Sequence, residues 1–203
     1  MGVPGTSSRR SLQGRPVATN HSAIEEAAFR LFAERGFEGT TLDAIAAEVG
    51  VGRRTLFRYF DSKNDIPWGR FDLTLAAFRD LLDSLDHLPI AEAVHRGVRA
   101  FNDFPPDASP HHADRMRLIL ETPTLQAHSV LRYAEWRAVI AAYVARRTGG
   151  EPTDLMPQTV GQVSLALALS AYTIWLEDTS SSLLELIDAA MAALRAHLGD
   201  LSP

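Results

Sequence analysis

Apolar residues recur at helical spacing through the first third of the chain. Between residues 24 and 32 they stand at i, i+4, i+7 and i+8, which predicts one face of a helix, and Gly36 follows at a position typical of a helix end. Residues 42–49 repeat the pattern at i, i+3, i+4 and i+7, directly after Thr40-Thr41, where either hydroxyl can accept bonds from free N–H groups. A glycine-rich turn then leads to a short helix predicted over residues 53–60.

The rest of the chain also has helical periodicity. The residues from Ser62 to Asp65 have the pattern of a capping box, which predicts a fourth helix running to about Leu85 with a local irregularity at Pro67. No segment alternates with period two, so the predicted fold class is all-α. Further helices are predicted over residues 89–102, 111–122, 124–147, 154–177 and 181–198.

These helices divide the chain into three parts. Residues 1–16 are expected to form a flexible basic arm. Residues 17–77 are predicted to form an N-terminal three-helix DNA-binding domain, with a helix-turn-helix motif at about residues 40–59. Residues 78–203 are predicted to form a C-terminal helical bundle for ligand binding and dimerisation.

The distribution of charge agrees with that division. The chain has a net charge of −5, but residues 1–70 hold ten basic and eight acidic side chains, whereas the remainder holds ten basic and seventeen acidic. A basic front on an acidic body is the asymmetry expected when one end of a protein meets phosphate. With no cysteine, a disulfide framework and a thiol nucleophile are excluded. The nearly apolar run 163–176 is shorter than the roughly 20 residues that span a bilayer, so we expect a cytoplasmic protein with no membrane partner.

The third helix has two chemically different faces. Leu56 and Phe60 stand one turn apart and are predicted to face the core, while Arg54 and Arg58 share the opposite face with Thr55. An exposed arginine can bond guanine O6 and N7 in the major groove. Contacts to phosphate are predicted for three further side chains, Thr41, Tyr59 and Lys63.

The motifs Phe32 to Phe37, Thr40 to Ala46 and Val49 to Phe60, followed by Ser62-Lys63, resemble the DNA-binding domain of the TetR family in order and spacing. The resemblance implies a dimeric regulator that binds a double-stranded DNA operator. It adds Arg53 and Phe57 to the predicted DNA-binding residues. Gly52 departs from the usual serine, and Phe57 departs from the usual tyrosine, so one backbone contact is in doubt.

Within that family, residues 52–68 are similar to the mycofactocin-system regulators. This resemblance implies a C-terminal domain that binds acyl-CoA-like ligands. No cofactor is expected, and the effector is predicted to be a small molecule such as a long-chain acyl-CoA. Such a ligand would fit an apolar cavity between helices, with cationic side chains at its mouth for the phosphates.

Large side chains occur throughout the C-terminal part, and for each of them core packing is an alternative to ligand contact. Arg132 is a further cation that could meet an anionic head group. The predicted pocket residues are Phe78, Phe101, Arg117, Tyr133, Trp136, Arg137, Tyr172 and Trp175.

The last two helices carry more apolar surface than one protomer can cover. The helix over 154–177 is apolar nearly all round from residue 163 to residue 176, and such a helix is buried on more than one side. Pairing both helices with their two-fold mates would form a four-helix interface. The predicted interface residues are Leu169, Ile174, Leu183, Ile187, Met191 and Leu194.

Other classes of protein have little support in the sequence. Adjacent helical histidines such as His111 and His112 point about 100° apart, so no metal site is predicted. Nothing resembles a nucleophile elbow or a phosphate loop, so no catalytic residue is predicted and an enzyme is not expected. The predicted function is a ligand-responsive regulator, with a repressor favoured. An activator, an orphan regulator without ligand, and a helical acyl-ligand carrier with a vestigial DNA domain remain alternatives.

Overall fold

The computed structural model describes residues 20–199, and within them every regular element is a helix. The predicted basic arm, residues 1–16, lies outside the described residues. Each predicted C-terminal helix is confirmed to within about two residues at either end. The α-helices are α1 His21–Gly39, α2 Leu42–Val49, α3 Arg53–Leu56, α4 Phe71–Ser84, α5 Ile90–Phe101, α6 His112–Glu121, α7 Pro123–Thr148, α8 Leu155–Glu177 and α9 Leu183–Gly199, and Lys63–Trp68 is a 3-10 helix.

Short-range chemistry sets the boundaries of the first helices. Gly36 interrupts α1 with a φ of 73°, a left-handed value that costs glycine little, and one further turn follows it. Thr41 caps α2, because its hydroxyl accepts a bond from the Ala44 N–H at 3.1 Å. The hydroxyl of Thr40 instead donates to carbonyls of α1, so only the second threonine acts as the cap.

The predicted fourth helix from Lys63 to Leu85 is wrong in its first turns. Residues 63–68 form a 3-10 helix that contains Pro67, and α4 begins only at Phe71. Gly69 separates the two with a φ of 57° and a ψ of −135°, which no α-helical residue adopts. The capping box is also absent, since the Ser62 hydroxyl bonds the Asp65 carboxylate at 2.7 Å rather than a backbone N–H.

Two hydrophobic clusters form the interior. The smaller cluster joins α1, α2, α3 and the 3-10 helix, and Leu125 of α7 is fully buried within it. The larger cluster begins at Phe71 and takes in α4 to α9. The clusters therefore meet near Gly69, and Phe71 and Leu75, which lie in the range that we assigned to the N-terminal domain, pack in the larger one.

Helices α8 and α9 pack against the body with one face each. Gly161 brings α8 close to α7, because a Cβ there would lie 2.9 Å from the Arg137 carbonyl oxygen. Leu183 and Ile187 of α9 are 8% and 0% exposed and belong to the larger cluster. These two predicted interface residues thus fill the core of the protomer itself, because α9 packs on α5 as well as on α8.

Helix α8 retains an uncovered face. Among residues 20–199 it is the one helix with the length and hydropathy of a membrane crossing, a test that the core helix of a soluble protein also passes. Ile174 is 54% exposed, and the side chains one turn before it are small. The remaining predicted interface residues, Leu169, Met191 and Leu194, are half-buried.

Candidate DNA-binding surface and effector cavity

The third helix presents two arginines to solvent. Leu56 and Phe60 are 0% and 4% exposed, so they anchor the helix in the smaller cluster. Arg54 and Arg58 are exposed, and neither makes a hydrogen bond or an ion pair with any residue that the structure describes. The regular helix ends at Leu56 and a turn follows it, so Arg58 lies beyond the helix that was predicted to carry both arginines.

The other predicted DNA-binding residues near these arginines differ in their exposure and in their contacts within the protein. Arg53 is exposed and lies 3.1 Å from the Asp43 carboxylate, with its guanidinium over the Phe57 ring. Phe57 is 41% exposed, an unusual position for a phenyl ring unless something covers it. Thr55 is half-buried, and Tyr59 is half-buried with its ring edge-on to His21.

Lys63 is placed differently from the other predicted phosphate contacts. Its ammonium donates to the carbonyls of Phe37 and Thr40 at 2.7 and 2.9 Å, and it lies 4.2 Å from the centroid of the Phe37 ring. Two of its three donors are therefore used inside the protein. The side chain ties the 3-10 helix to the connection between α1 and α2, which supports the surface on which a phosphate contact would form.

A cavity of about 240 Å³ lies within the larger cluster and reaches the 3-10 helix. It is partly open to solvent, and aromatic rings form much of its wall. Arg70 and Arg115 are the cationic side chains in the wall, and Glu25 of α1 reaches it from the smaller cluster. The aromatic wall residues are Trp68, Phe71, Phe101, Phe104, Tyr133, Trp136 and Tyr172.

The cavity is lined by four of the eight predicted pocket residues: Phe101, Tyr133, Trp136 and Tyr172. Phe78 stacks behind Trp136 at 5.6 Å, and Trp175 packs against Tyr172 without lining the cavity.

The arginines that we predicted at the mouth of the ligand pocket lie outside the cavity wall. Arg117 donates to the Leu176 carbonyl on the outside of the body, and Arg137 faces the close approach of α7 and α8. Arg132 bonds Asp65 and Glu135 rather than facing the cavity. Arg70 and Arg115 therefore take the place at the cavity wall that we had predicted for these three.

A buried polar chain runs along one side of the cavity. The His112 Nε2 lies 2.8 Å from the Tyr172 hydroxyl, which donates to the Asn102 Oδ1 at 2.8 Å, and the Asn102 amide donates to the Val98 carbonyl at 2.7 Å. Burial lowers the pKa of His112 to about 3, and the nearby Arg115 and His111 act in the same direction. The imidazole is therefore neutral at pH 7. His112 begins α6 and is buried.

Buried ion pairs connect this cavity to the N-terminal domain. Arg115 of α6 pairs with Glu25 of α1 and donates to the Pro67 carbonyl at 2.6 Å. The two charged side chains are only 18% and 10% exposed. Sequence reasoning missed this pair, although Glu25 falls beside the apolar face of α1, where a buried carboxylate requires a cation.

A second junction joins the 3-10 helix to α7. The Asp65 carboxylate accepts bonds from Ser62, His128 and Arg132 at 2.7 to 3.0 Å. Burial alone would raise the pKa of Asp65, but these bonds and the nearby positive charges hold it below its ordinary value. Both junctions fix the 3-10 helix against α6 and α7, so the 3-10 helix and α4 are not the only connection between the two parts.

Family comparison agrees with the two-part structure. Residues 24–66 match the model for bacterial regulatory proteins of the tetR family, and residues 88–199 match the MftR C-terminal domain. The chain is 47% identical to the protein named mycofactocin biosynthesis transcriptional regulator MftR of Mycobacterium tuberculosis, over 93% of this chain and 96% of that protein. The chain belongs to the tetR family of transcriptional regulators. Its likeness to the mycofactocin regulator is confirmed as predicted.

Two solved structures of transcriptional regulators share the fold. FadR of Thermus thermophilus, determined with lauroyl-CoA, has a TM-score of 0.56 at 22% identity and aligns over 86% of this chain and 93% of that one. FadR of Bacillus subtilis, determined with stearoyl-CoA, has a TM-score of 0.56 at 19% identity over 86% and 97% of the two chains. Within residues 20–199 no group of three or more potential metal ligands comes together, and the prediction of no metal stays a prediction.

Proposed function

We propose that this protein is a dimeric repressor that binds a palindromic operator and is released from it by a long-chain acyl-CoA. The observation that carries the proposal is the position of the cavity. Its wall includes Glu25 of the DNA-binding domain and Arg115 of the body, so a ligand there touches both parts of the molecule. The DNA-binding part of the chain has an exposed basic helix, and the body has an aromatic cavity.

DNA recognition is assigned to the region around α3. The guanidinium groups of the exposed Arg54 and Arg58 have no partner among the described residues, and their donors suit bidentate contact with guanine in the major groove. Thr41, Arg53, Thr55, Phe57 and Tyr59 flank them, and Lys63 holds the supporting turn. A regulator with this role acts where chromosomal DNA lies, so we assign it to the cytoplasm.

The ligand class follows from the wall of the cavity. Apolar rings favour an acyl chain, since each buried methylene contributes about 0.8 kcal/mol. The guanidinium of Arg70 is exposed beside the cavity and meets no partner among the described residues, so it supplies the cation that CoA phosphates need. Two relatives in fold were determined with acyl-CoA ligands, which supports the same class here.

Release requires that the ligand bind the two conformations of the protein unequally. The cavity volume of about 240 Å³ is below the roughly 300–1,000 Å³ typical of ligand pockets. A long chain therefore displaces wall side chains when it enters. Arg115 is one of them, and its bonds to Glu25 and Pro67 would pass that displacement to the DNA-binding domain.

Titrating an operator complex with CoA thioesters of increasing chain length tests the effector. Oleoyl-CoA and palmitoyl-CoA should release the protein at micromolar levels, while acetyl-CoA and free CoA should not. The operator is first selected from random DNA, and binding is followed by fluorescence anisotropy. Release that does not depend on chain length would reject the acyl-CoA assignment. A complex strengthened by ligand would favour the activator, and tight ligand binding without selection of any operator would favour the carrier.

The dimer is assigned to the uncovered face of α8. Ile174 is 54% exposed there, so Ile174→Glu should leave the protomer folded and shift the protein to monomer in sedimentation velocity. Leu131→Glu is the control, because Leu131 is 64% exposed on α7 and should stay dimeric. Ala171 is unsuitable for this test because it is 3% exposed and lies inside the protomer core. A monomeric wild type at micromolar concentration would contradict the assignment.

A further inference from the structure

The polar chain beside the cavity fixes which ring nitrogen of His112 carries the proton. The Val98 carbonyl can only accept, so the Asn102 amide nitrogen must face it and the Asn102 oxygen must face Tyr172. The single hydroxyl proton of Tyr172 is then used on that oxygen. The Tyr172 oxygen consequently accepts from His112, and the proton of the neutral imidazole lies on Nε2.

This assignment leaves the Nδ1 of His112 as a lone-pair acceptor. The atom is buried and has no hydrogen-bond partner among the described residues, and the side chain is 9% exposed in the wall of the cavity. Phe104 covers the other side of the ring by stacking at 3.7 Å. A buried acceptor without a donor is costly, so the site is incomplete as it stands.

A second residue of the cavity wall, Trp68, also has a buried polar atom. The Trp68 Nε1 has no partner among the described residues, and an indole nitrogen can only donate. Trp68 is held edge-on between Phe71 and Tyr133, which fixes the position of that donor. The cavity wall thus has one fixed acceptor on His112 and one fixed donor on Trp68. The buried Tyr133 hydroxyl, which can donate or accept, is a third polar group of the wall without a hydrogen-bond partner among the described residues.

We propose that the effector carries a neutral hydrogen-bond donor, an amide N–H or a hydroxyl, that binds the Nδ1 of His112, together with an acceptor for the Nε1 of Trp68. This inference rests on the proposed function, since it takes the cavity as the effector site. It excludes a carboxylate beside His112, because a carboxylate has no proton to donate and the imidazole is neutral at pH 7. A saturated acyl chain also has no donor. The amide groups of a CoA arm have both a donor and an acceptor, and so does a hydroxylated acyl group.

Three small probes of equal chain length separate these possibilities. Decanamide offers N–H donors and decan-1-ol an O–H donor, whereas methyl decanoate offers only acceptors. The affinities are measured by calorimetric titration of the dimeric protein at pH 7.5. At least one of decanamide and decan-1-ol should bind about tenfold more tightly than methyl decanoate. The probe that gains the advantage identifies the donor. Equal binding of all three, as when a trapped water satisfies His112, would overturn the proposal.

Two variants test the named atoms. His112→Phe keeps an aromatic ring for stacking on Phe104 but removes both ring nitrogens, so the preference for donor probes should fall to about onefold. Trp68→Phe keeps the ring and removes the indole N–H, so all carbonyl and hydroxyl probes should weaken while the preference for donors remains. A preference retained in His112→Phe would overturn the assignment. If that variant does not fold, the probe affinities of the wild type and of Trp68→Phe still test the proposal.

These results are independent of the acyl-CoA test. Failure of every acyl-CoA to release the operator, with donor preference intact, would remove the proposed effector and leave this inference. Release by oleoyl-CoA without any preference for donor probes would support the proposed effector and overturn this inference.

Discussion

The two parts of this molecule use buried polar groups differently. In the N-terminal domain, the Lys63 ammonium and the Thr40 hydroxyl end on backbone carbonyls and complete a small closed core. In the C-terminal body, His112 and Trp68 line a cavity and each has one polar atom without a partner among the described residues. The first arrangement stabilises a fixed DNA-binding surface. The second leaves hydrogen-bonding capacity for a ligand, and it belongs to the part that must respond.

The largest expected effect comes from the ion pair that joins the two parts. Arg115→Met leaves the Glu25 carboxylate buried without its cation, which should lower the free energy of unfolding by about 3 kcal/mol. Chemical denaturation measures the change. Arg30→Met is the matched control, because Arg30 pairs with Glu48 at an exposed site where loss should cost under about 1 kcal/mol. Equal losses in the two variants would mean that the junction is not a special connection.

Sequence patterns predicted the N-terminal domain in detail because its determinants are local. A cap at Thr41, a left-handed Gly50 and the opposed faces of α3 depend on residues a few positions apart. An irregularity was predicted at Pro67, but the late start of α4 at Phe71 was not, because the helical periodicity continues through Gly69. The carbonyl partners of Lys63 lie 23 and 26 residues away, and no spacing rule reaches them.

The C-terminal body was predicted in its helices but less well in its site. Periodicity separates apolar from polar faces, but it does not say which apolar side chain faces a neighbour, a cavity or a second protomer. Leu183 and Ile187 therefore looked like interface residues, although α5 covers them. The chain from His112 through Tyr172 to Asn102 joins three helices or helix ends, and only their packing brings it together.

Base recognition is the next largest expected effect. Arg54→Ala or Arg58→Ala should each cost about 1–3 kcal/mol of operator binding and relax the preference at one position of each half-site. Arg79→Ala is the control, since Arg79 is exposed on α4 in the body. Binding is measured on operators substituted one base pair at a time. Uniform loss on every sequence would show that the arginines contact phosphate rather than bases.

Near neutral pH the smallest expected effect is a pH dependence of stability that belongs to the body. Because the pKa of His112 is lowered from its ordinary 6.5 to about 3, the folded state binds one proton fewer between these values. Its contribution to stability is complete above pH 6.5 and should fall by about 1.4 kcal/mol per pH unit as the pH drops below it. The difference in unfolding free energy between wild type and His112→Gln measures this slope. An unchanged slope in His112→Gln would contradict the assignment.

The central claim is that the cavity and the DNA-binding surface are coupled. The most direct test is the dissociation constant of oleoyl-CoA for the free dimer and for the dimer saturated with operator DNA. By thermodynamic reciprocity, a ligand that releases the operator must bind the complex more weakly, by about 5- to 150-fold for typical couplings. We predict a difference in that range. Equal affinity for the free and operator-bound protein would contradict the account, because such a ligand shifts no equilibrium.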